Sequence, residues 1–453
     1  MNFSQLNLGR YIYTVAIVLP RLSGFLLLPA YATVLSLGDM GLLSTSWIFI
    51  SLFQTVAGMG MTQALGRLFP MAKDSRHRRE ILTATLLGTL GGGLLTTLIA
   101  ILIYAWPMAR SHLQFLGQID VRFFGTILTA GLLGNVTSTL LVYFRAEQKA
   151  WSFLHAGIIM AVVEMGLAGM LLAMGKASVV NLLAVECAKQ AATFIFIGWK
   201  GKRDLNPAFS SKTWKAVTGF GFWLIPVGMC ECVFTSSDRF WLGQIVSMES
   251  VGIYGFFYKF ATPLGVLFIG NLMDFHSYLY KMQGEEGMVY ARESLNRFLF
   301  RGGLMTLGFA IGFPVAYRLL PLVFPVFPHA YASGLEIFPL LVAALYVFTW
   351  GKYYGALLEY RFETREILIG MGITAVFGAT LIPLFLKASF SFNSWALSAA
   401  AGASLATAFV GLLVMGLLSR KGIAGQYSPK TWLKPLGFIL GCLIIWIVLH
   451  QTK

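Results

Sequence analysis

Residues 81–105 read ILTATLLGTLGGGLLTTLIAILIYA and contain no charged side chain. A helix of about 20 apolar residues is long enough to cross the hydrocarbon core of a bilayer. The apolar residues here are continuous, whereas the strands of a membrane barrel alternate apolar and polar residues. This stretch therefore predicts a membrane-spanning helix.

The same pattern recurs along the 453 residues, which are 57% hydrophobic and 12% charged, with a mean hydropathy of +0.73. That composition excludes an ordinary soluble globular protein. The first stretch has no small-residue cleavage site after a short apolar core, so we expect a true span there. The predicted spans are 13–36, 42–66, 81–105, 123–143, 154–174, 179–198, 217–242, 252–280, 298–323, 333–356, 367–386, 394–418 and 435–450.

The Lys and Arg residues predict the orientation of these spans. They concentrate in every second loop, most densely in residues 67–80 and 199–216. The positive-inside rule then places the amino terminus in the cytoplasm and the carboxyl terminus outside. The net charge of +15 is spread over many loops rather than one face, which favours membrane lipids over nucleic acid as the partner. The opposite side holds only Arg110, Arg122, Lys176, Arg239, Lys387 and Lys453.

The order of the spans predicts two lobes of six helices, residues 1–216 and 217–433, and an additional helix in 434–453. The basic stretch Trp199–Lys215 resembles a linker. Residues 34–42 and 245–253 share a pattern of Ser, Gly and apolar positions, as an internal repeat would. An even number of helices per lobe implies parallel repeats around an axis along the membrane normal. We expect an all-α polytopic membrane protein.

Charged side chains at membrane depth are the best candidates for function, because each costs about 2.5–3.5 kcal/mol to insert. The three-residue spacing of Glu186 and Lys189 favours an intrahelical ion pair, which is a structural role. Lys352 and Glu359 lie near a helix end and can reach the interface. The remaining candidates are Arg21, Glu164, Glu231, Lys259 and Asp274.

Arg21 follows Pro20 in the middle of the first span, where a proline permits a bend. Glu231 and Asp238 lie on one predicted polar stripe of the seventh span. Arg21 and Glu231 fall at similar depth, either as cavity residues or as a structural salt bridge. Lys259 either meets an anionic substrate or pairs with Asp238. The expected substrate-binding residues are Arg21, Lys259 and Arg239, and the expected coupling-ion residues are Glu164, Glu231, Asp238 and Asp274.

No metal-ligand spacing, nucleophile motif or phosphate loop is present, so we expect neither an enzyme nor a metal or cofactor. The cysteines are typical of small apolar core residues rather than of a disulfide framework. They are Cys187, Cys230, Cys232 and Cys442.

Several short patterns resemble bacterial polysaccharide exporters of the Wzx type. Asp238–Gly243, Val251–Tyr254 and Lys259 resemble the region of helices 7 and 8 of that family. These O-antigen flippases share a superfamily with multidrug and toxin extrusion antiporters and lipid II flippases. In the first half of the chain, the resemblance to this family continues at Arg21, Pro29, residues 38–41, residues 60–70 and residues 143–147.

This resemblance implies transport of an undecaprenyl-diphosphate-linked oligosaccharide across the bacterial cytoplasmic membrane. The lobes would alternate in access, driven by H⁺ or Na⁺, and a polysaccharide polymerase would be a partner. The thirteen predicted spans are fewer than the fourteen common in the superfamily. A single deep arginine in the first span also argues against a lipid II flippase.

Two other functions compete with this interpretation. A multidrug-type cation antiporter of the same fold would need an acidic cavity, whereas Arg21 and Lys259 favour an anion. A membrane glycosyltransferase or polymerase usually works on large external loops. The longest external loop here is only about 17 residues, which makes an enzyme the weakest of the three alternatives.

Overall fold

The computed structural model describes residues 3–72, 74–108, 117, 119–202, 206–279, 285–323, 329–360, 364–389, 395–423 and 430–451. Within these ranges every regular element is a helix, which confirms the all-α prediction. They are α1 (Phe3–Val34), α2 (Leu37–Ala57), α3 (Met61–Leu68), α4 (Ser75–Ala105), α5 (Val121–Ala146), α6 (Ala150–Ala173), α7 (Val179–Gly201), α8 (Ser211–Phe222), α9 (Leu224–Ile245), α10 (Met248–Leu279), α11 (Glu285–Val323), a 3-10 segment (His329–Ile337), α12 (Phe338–Tyr360), α13 (Thr364–Ser389), α14 (Ala396–Ile423) and α15 (Lys430–Gln451).

In the described part of the chain, 12 helical stretches are long and apolar enough to cross a membrane. The carboxyl-terminal stretch Pro435–Gln451 is a shorter apolar helix. The polytopic membrane protein with twelve spans and one additional helix is therefore confirmed. The chain divides into two compact units, Met1–Cys232 and Val233–Lys453, and the division falls inside α9. The boundary predicted at residue 216 instead falls inside the preceding helix, α8.

Polar side chains at the starts of several helices explain where those helices begin. Each cap accepts a hydrogen bond from the backbone N–H three residues later, which satisfies one of the free donors of the first turn. The strongest examples are Asp74, 2.6 Å from the His77 nitrogen, and Asp120, 2.7 Å from the Phe123 nitrogen. The other capping residues are Ser36, Ser178 and Ser210.

The prediction of one continuous helix over 42–66 is wrong. Helix α2 ends at Ala57 and α3 begins at Met61, because Met59 (φ 46°) and Gly60 (φ 66°) adopt left-handed backbone. A Cβ at Gly60 would collide with the carbonyl of Gly221. Glycine is needed there both for the positive φ and for the close approach of two backbones.

The predicted span 217–242 is also broken, into α8 and α9 at Trp223. Pro226 has no N–H to donate to the carbonyl of Phe222, so the helical ladder is interrupted at this point. A Cβ at Gly221 would lie 2.6 Å from the carbonyl oxygen of Met59. The two helix breaks therefore pack directly against each other within the first unit.

Each unit has its own packed interior. In the first unit α1 lies along α6, and α5 lies against α2 and α7. In the second unit α12 packs against α14, and α15 packs against α11 and α12. Aromatic rings fill the centre of the second unit, where Tyr346, Trp350 and Tyr353 are fully buried. The additional helix is thus an integral part of the second unit.

Candidate functional site

Three ionisable side chains meet in the first unit between α6 and α7. The Lys189 ammonium lies 2.6 Å from a carboxylate oxygen of Glu186 and 3.3 Å from one of Glu164. The first contact is the ion pair that the three-residue spacing predicts. Glu164, from the neighbouring helix, is the member that spacing could not reveal. We call Glu164, Glu186 and Lys189 the acidic cluster.

The acidic cluster is largely buried, since its side chains are only 11–17% exposed. Among the described residues it contains two carboxylates and one ammonium. A buried excess of negative charge at membrane depth is costly unless a cation or proton compensates it. This arrangement suits the reversible binding of a small cation.

Helix α1 also contacts the acidic cluster, in addition to α6 and α7. The Ser23 hydroxyl lies 2.9 Å from Glu164 Oε2 and 2.8 Å from the carbonyl oxygen of Pro20. Gly24 leaves room for the same carboxylate, because a Cβ there would lie 3.3 Å from Glu164 Oε1. On α7, the Gln190 amide donates to Glu186 Oε1 at 2.8 Å. Ser23 and Gln190 carry no charge and have no characteristic spacing, so the sequence alone did not point to them.

Arg21 lies on the same helix as Ser23 but on a different face, because two residues rotate a helix by about 200°. Its side chain is exposed, and the described residues give it no hydrogen bond or ion pair. Arg21 lies within the span Val15–Val34. An arginine at this depth requires water or an anion, so its surroundings cannot be lipid alone. Glu231, the alternative partner expected from the sequence, lies half-buried on α9.

Asp238 occupies a different environment in the second unit. It is 4% exposed, and its Oδ2 accepts hydrogen bonds from Tyr254 at 2.6 Å and Ser404 at 3.2 Å. Its other oxygen lies 3.6 Å from the guanidinium of Arg239. These contacts tie α9 to α10 and α14. Among the described residues, Asp238 therefore has a satisfied structural environment.

Arg239 does not extend into open space. Its guanidinium lies 4.2 Å from the ring centroid of Tyr258 and donates to the carbonyl oxygen of Thr235 at 2.7 Å. Stacking and the backbone bond hold it against its own helix and α10. One donor of the guanidinium is used in this way, whereas its Nε is buried without a hydrogen-bond partner among the described residues.

Three predicted residues remain. Glu231 and Lys259 are half-buried on α9 and α10. The side chain of Asp274 lies outside the described residues. Over the described part of the chain, no three His, Cys, Asp or Glu side chains are placed to hold a metal ion.

Comparison with known proteins assigns this chain to a family. The profile of the family described as "Polysaccharide biosynthesis protein" matches residues 9–273, which is more than half of the chain. The chain belongs to this polysaccharide biosynthesis family. No match was found among curated protein sequences.

Several solved structures share the fold of this polysaccharide biosynthesis family member. An inward-facing multidrug resistance MATE family transporter of the MOP superfamily is 15% identical, with a TM-score of 0.67 over 92% of this chain and 100% of that one. The Vibrio cholerae MATE transporter VcmN is 12% identical, with a TM-score of 0.64 over 93% and 97%. A MOP superfamily transporter from Pyrococcus furiosus, described as having a binding pocket of reversed polarity, is 14% identical, with a TM-score of 0.61 over 92% and 94%. At these identities the likeness shows the fold alone.

Proposed function

We propose that this protein is a flippase that moves an undecaprenyl-diphosphate-linked oligosaccharide from the cytoplasmic to the outer leaflet of the bacterial inner membrane. Membership in a polysaccharide biosynthesis family and a MATE-like transporter fold support a membrane transporter of this kind. The amino terminus would lie in the cytoplasm and the carboxyl terminus outside, as the loop charges predict. Lipid-linked sugars would come from cytoplasmic assembly enzymes and pass to a polysaccharide polymerase.

The observation that carries the proposal is Arg21, which is exposed within the first span and has no hydrogen bond or ion pair among the described residues. A guanidinium offers a planar fork of donors that matches phosphate oxygens in a bidentate manner. A diphosphate headgroup would supply the anion that Arg21 lacks, while the polyprenyl tail stays in lipid. Lys259 is the second cation proposed for this headgroup. Arg239 is a weaker candidate because its guanidinium is largely buried against Tyr258 and already donates to the carbonyl oxygen of Thr235.

The acidic cluster is the proposed site of the coupling ion, H⁺ or Na⁺. Glu164 is its central residue, because Ser23 connects it to the helix that also carries Arg21. Cation binding at Glu164 would compete with the Ser23 hydroxyl and change the packing of α1 beside Pro20. Linkage then requires that the headgroup at Arg21 and the cation at Glu164 alter each other's affinity equally. Asp238, Glu231 and Asp274 are the alternative coupling residues.

Replacing Arg21 by alanine is expected to lower the rate of glycolipid flipping about tenfold to hundredfold, the factor for one lost charge-assisted hydrogen bond. The measurement is flipping of undecaprenyl-diphosphate oligosaccharide in proteoliposomes. Arg122→Ala removes an exposed arginine at the start of α5 and should leave the rate unchanged. Equal rates for the Arg21→Ala variant and the unmodified protein would rule out the headgroup role of Arg21.

Replacing Glu164 by glutamine is expected to abolish the response of flipping to an ion gradient and to leave the protein folded. Lys189 keeps Glu186 as its partner, so the remaining pair is neutral. Proteoliposomes with a pH gradient or a sodium gradient would identify the ion. Ser23→Ala, which keeps all three charges, should weaken the response without removing it. An unchanged gradient response in Glu164→Gln would place the coupling site elsewhere.

A multidrug-type antiporter is the second candidate, favoured by the MATE-like fold and by the carboxylate excess of the acidic cluster. It predicts uptake of organic cations against H⁺ or Na⁺ in the same proteoliposomes. Transport of such cations without any movement of glycolipid would replace the flippase proposal. A membrane-embedded polymerase would instead lengthen the glycan, which the same assay detects.

A further inference from the structure

Three basic side chains lie together at the membrane face of the first unit where α3 and α5 end and α4 begins. The guanidinium of Arg78 lies 5.7 Å from the ring centroid of Phe69, and the ammonium of Lys149 lies 5.4 Å from that of Tyr143. These two rings meet edge-on, with centroids 5.7 Å apart. Arg145 belongs to the last turn of α5, between Tyr143 and Lys149 in the chain. We call Arg78, Arg145 and Lys149 the basic surface.

Arg145 makes no hydrogen bond or ion pair with the described residues, and it is exposed. A Cβ at Gly66 of α3 would lie 4.0 Å from its guanidinium, so the group rests against that helix. The neighbouring cation on α3, Arg67, packs instead onto Phe220 of α8 at 4.9 Å. The donors of Arg145 are therefore available to an anion from outside the chain.

The described contacts bring one carboxylate to the basic surface. Glu147 Oε2 lies 3.7 Å from the guanidinium of Arg78, and their side chains are 28% and 46% exposed. Lys149 donates to the Tyr143 hydroxyl at 3.4 Å, which is a neutral acceptor. The basic surface therefore keeps an excess of positive charge, and an exposed excess of this kind attracts anions.

A tight turn between α5 and α6 fixes the backbone of the basic surface. Gln148 adopts a left-handed φ of 59°, and the Lys149 nitrogen donates to the carbonyl oxygen of Phe144 at 2.8 Å. The Glu147 nitrogen donates to the carbonyl oxygen of Tyr143 at 2.9 Å. Carbonyl groups at the end of α5 are thus bonded within the turn, as in other helix terminations. The turn holds Arg145 and Lys149 in place before any ligand binds, which lowers the cost of binding.

Exposed apolar side chains next to the basic surface indicate its depth in the membrane. Trp151 is 60% exposed two residues after Lys149, and Met71 is 71% exposed two residues after Phe69. Arg145 lies at the end of the apolar span Val121–Ala146. Tryptophans at the ends of membrane helices are typical of the headgroup level. The basic surface is therefore at the depth of the lipid phosphates.

A buried hydroxyl supplies a second polar group beside Arg145. Tyr13 of α1 packs edge-on against Phe153 at 5.3 Å, and its hydroxyl interacts electrostatically with Arg145. That hydroxyl oxygen is buried without a hydrogen-bond partner among the described residues. A guanidinium matches phosphate oxygens in a bidentate manner. A phosphate held by Arg145 would supply the acceptor that Tyr13 lacks.

We propose that the basic surface binds the phosphate headgroup of an anionic phospholipid, and that this lipid joins α3, α4 and α5 at the membrane face predicted to be cytoplasmic. Basic pockets between membrane helices on that side bind anionic headgroups. A lipid fits better than a soluble anion, because its acyl chains match the exposed apolar side chains beside the phosphate site. The proposal does not depend on which cargo the protein transports.

Replacing Arg145 by glutamine is expected to raise the dissociation constant for phosphatidylglycerol about threefold to tenfold, the factor for one arginine at a membrane surface. The measurement is native mass spectrometry of the full-length chain released from detergent micelles, with phosphatidylglycerol titrated. It gives the dissociation constants of successively bound lipids, and one of them should rise. In Arg145→Gln/Lys149→Gln the rise should reach about tenfold to hundredfold, so that one lipid fewer is retained.

Arg76→Gln is the matched control. It removes the same charge at the same membrane face, but the 78% exposed side chain of Arg76 already faces Glu80 at 3.4 Å. This variant should leave every dissociation constant unchanged. Phosphatidylcholine carries the same phosphate without a net negative charge. It should bind more weakly than phosphatidylglycerol, with no response to Arg145→Gln.

Three results would overturn the proposal. Equal dissociation constants in Arg145→Gln and Arg76→Gln would mean that the basic surface holds no lipid. An equal loss of phosphatidylcholine binding in Arg145→Gln would mean that the headgroup charge is not recognised. Displacement of phosphatidylglycerol by a lower concentration of farnesyl diphosphate would assign the surface to a polyprenyl diphosphate instead.

Lys149→Gln, which changes the turn rather than the helix, serves if Arg145→Gln does not fold. The same threefold to tenfold rise is expected for it, and an unchanged set of dissociation constants would count equally against the proposal. These measurements read lipid binding and not flipping. Failure of the lipid site would therefore leave the proposed transport function unaffected.

Discussion

Replacing Lys189 by methionine is expected to destabilise the first unit by about 3–5 kcal/mol, because it leaves two secluded carboxylates without their shared cation. Methionine keeps the length of the lysine stem, so the loss is electrostatic rather than a loss of packing. The measurement is the midpoint of thermal unfolding in detergent, followed by the amount of protein that remains soluble. Expression of folded protein should fall in parallel.

The matched control removes the whole charged group. In the Glu164→Gln/Glu186→Gln/Lys189→Met variant no charge is left unpaired, and burying neutral side chains of similar volume is often neutral or stabilising. We expect this triple variant to recover most of the lost stability. A single Lys189→Met variant that unfolds at the temperature of the unmodified protein would show that the acidic cluster is open to water.

Replacing Gly60 by valine is expected to cost about 2–5 kcal/mol, the sum of a left-handed backbone strain and an overpacked contact. The φ of 66° at Gly60 disfavours any side chain, and a Cβ there would meet the carbonyl of Gly221. The two helix breaks would be forced apart. The unfolding midpoint in detergent measures the cost.

Gly91→Ala is the control for this change, since Gly91 is exposed within α4 and a Cβ there meets nothing within 4 Å. Alanine favours a helix more than glycine does, so this variant should be as stable as the original or slightly more stable. If Gly60→Val unfolded at the same temperature as Gly91→Ala, the two breaks would not be in tight contact in the folded protein.

The two broken helices could not be predicted from the sequence of each span alone. Gly58, Met59 and Gly60 lie inside an apolar run of spanning length, and isolated glycines are tolerated in such helices. The break depends on Gly221, which is distant in sequence and leaves space for the turn. Pro226 was a visible signal for the second break, yet a proline in a membrane helix often produces only a kink.

The sequence likewise predicts only part of the candidate site. The spacing of Glu186 and Lys189 predicts their ion pair, because both atoms lie on one helix whose geometry is known. Glu164 and Ser23 join them from α6 and α1. The partners of Asp238 illustrate the same limit, since Tyr254 and Ser404 come from two other helices.

The sequence by itself determined that this chain is a polytopic all-α membrane protein with twelve long apolar spans and an additional carboxyl-terminal helix. Span length and apolar composition are local properties, so the sequence shows them directly. Only the tertiary structure decided which charged groups meet, where two of the helices break, and which unit holds α15. These features depend on side chains from different helices coming within a few ångströms of each other. The residue pattern of a single helix does not show which other helix it will contact.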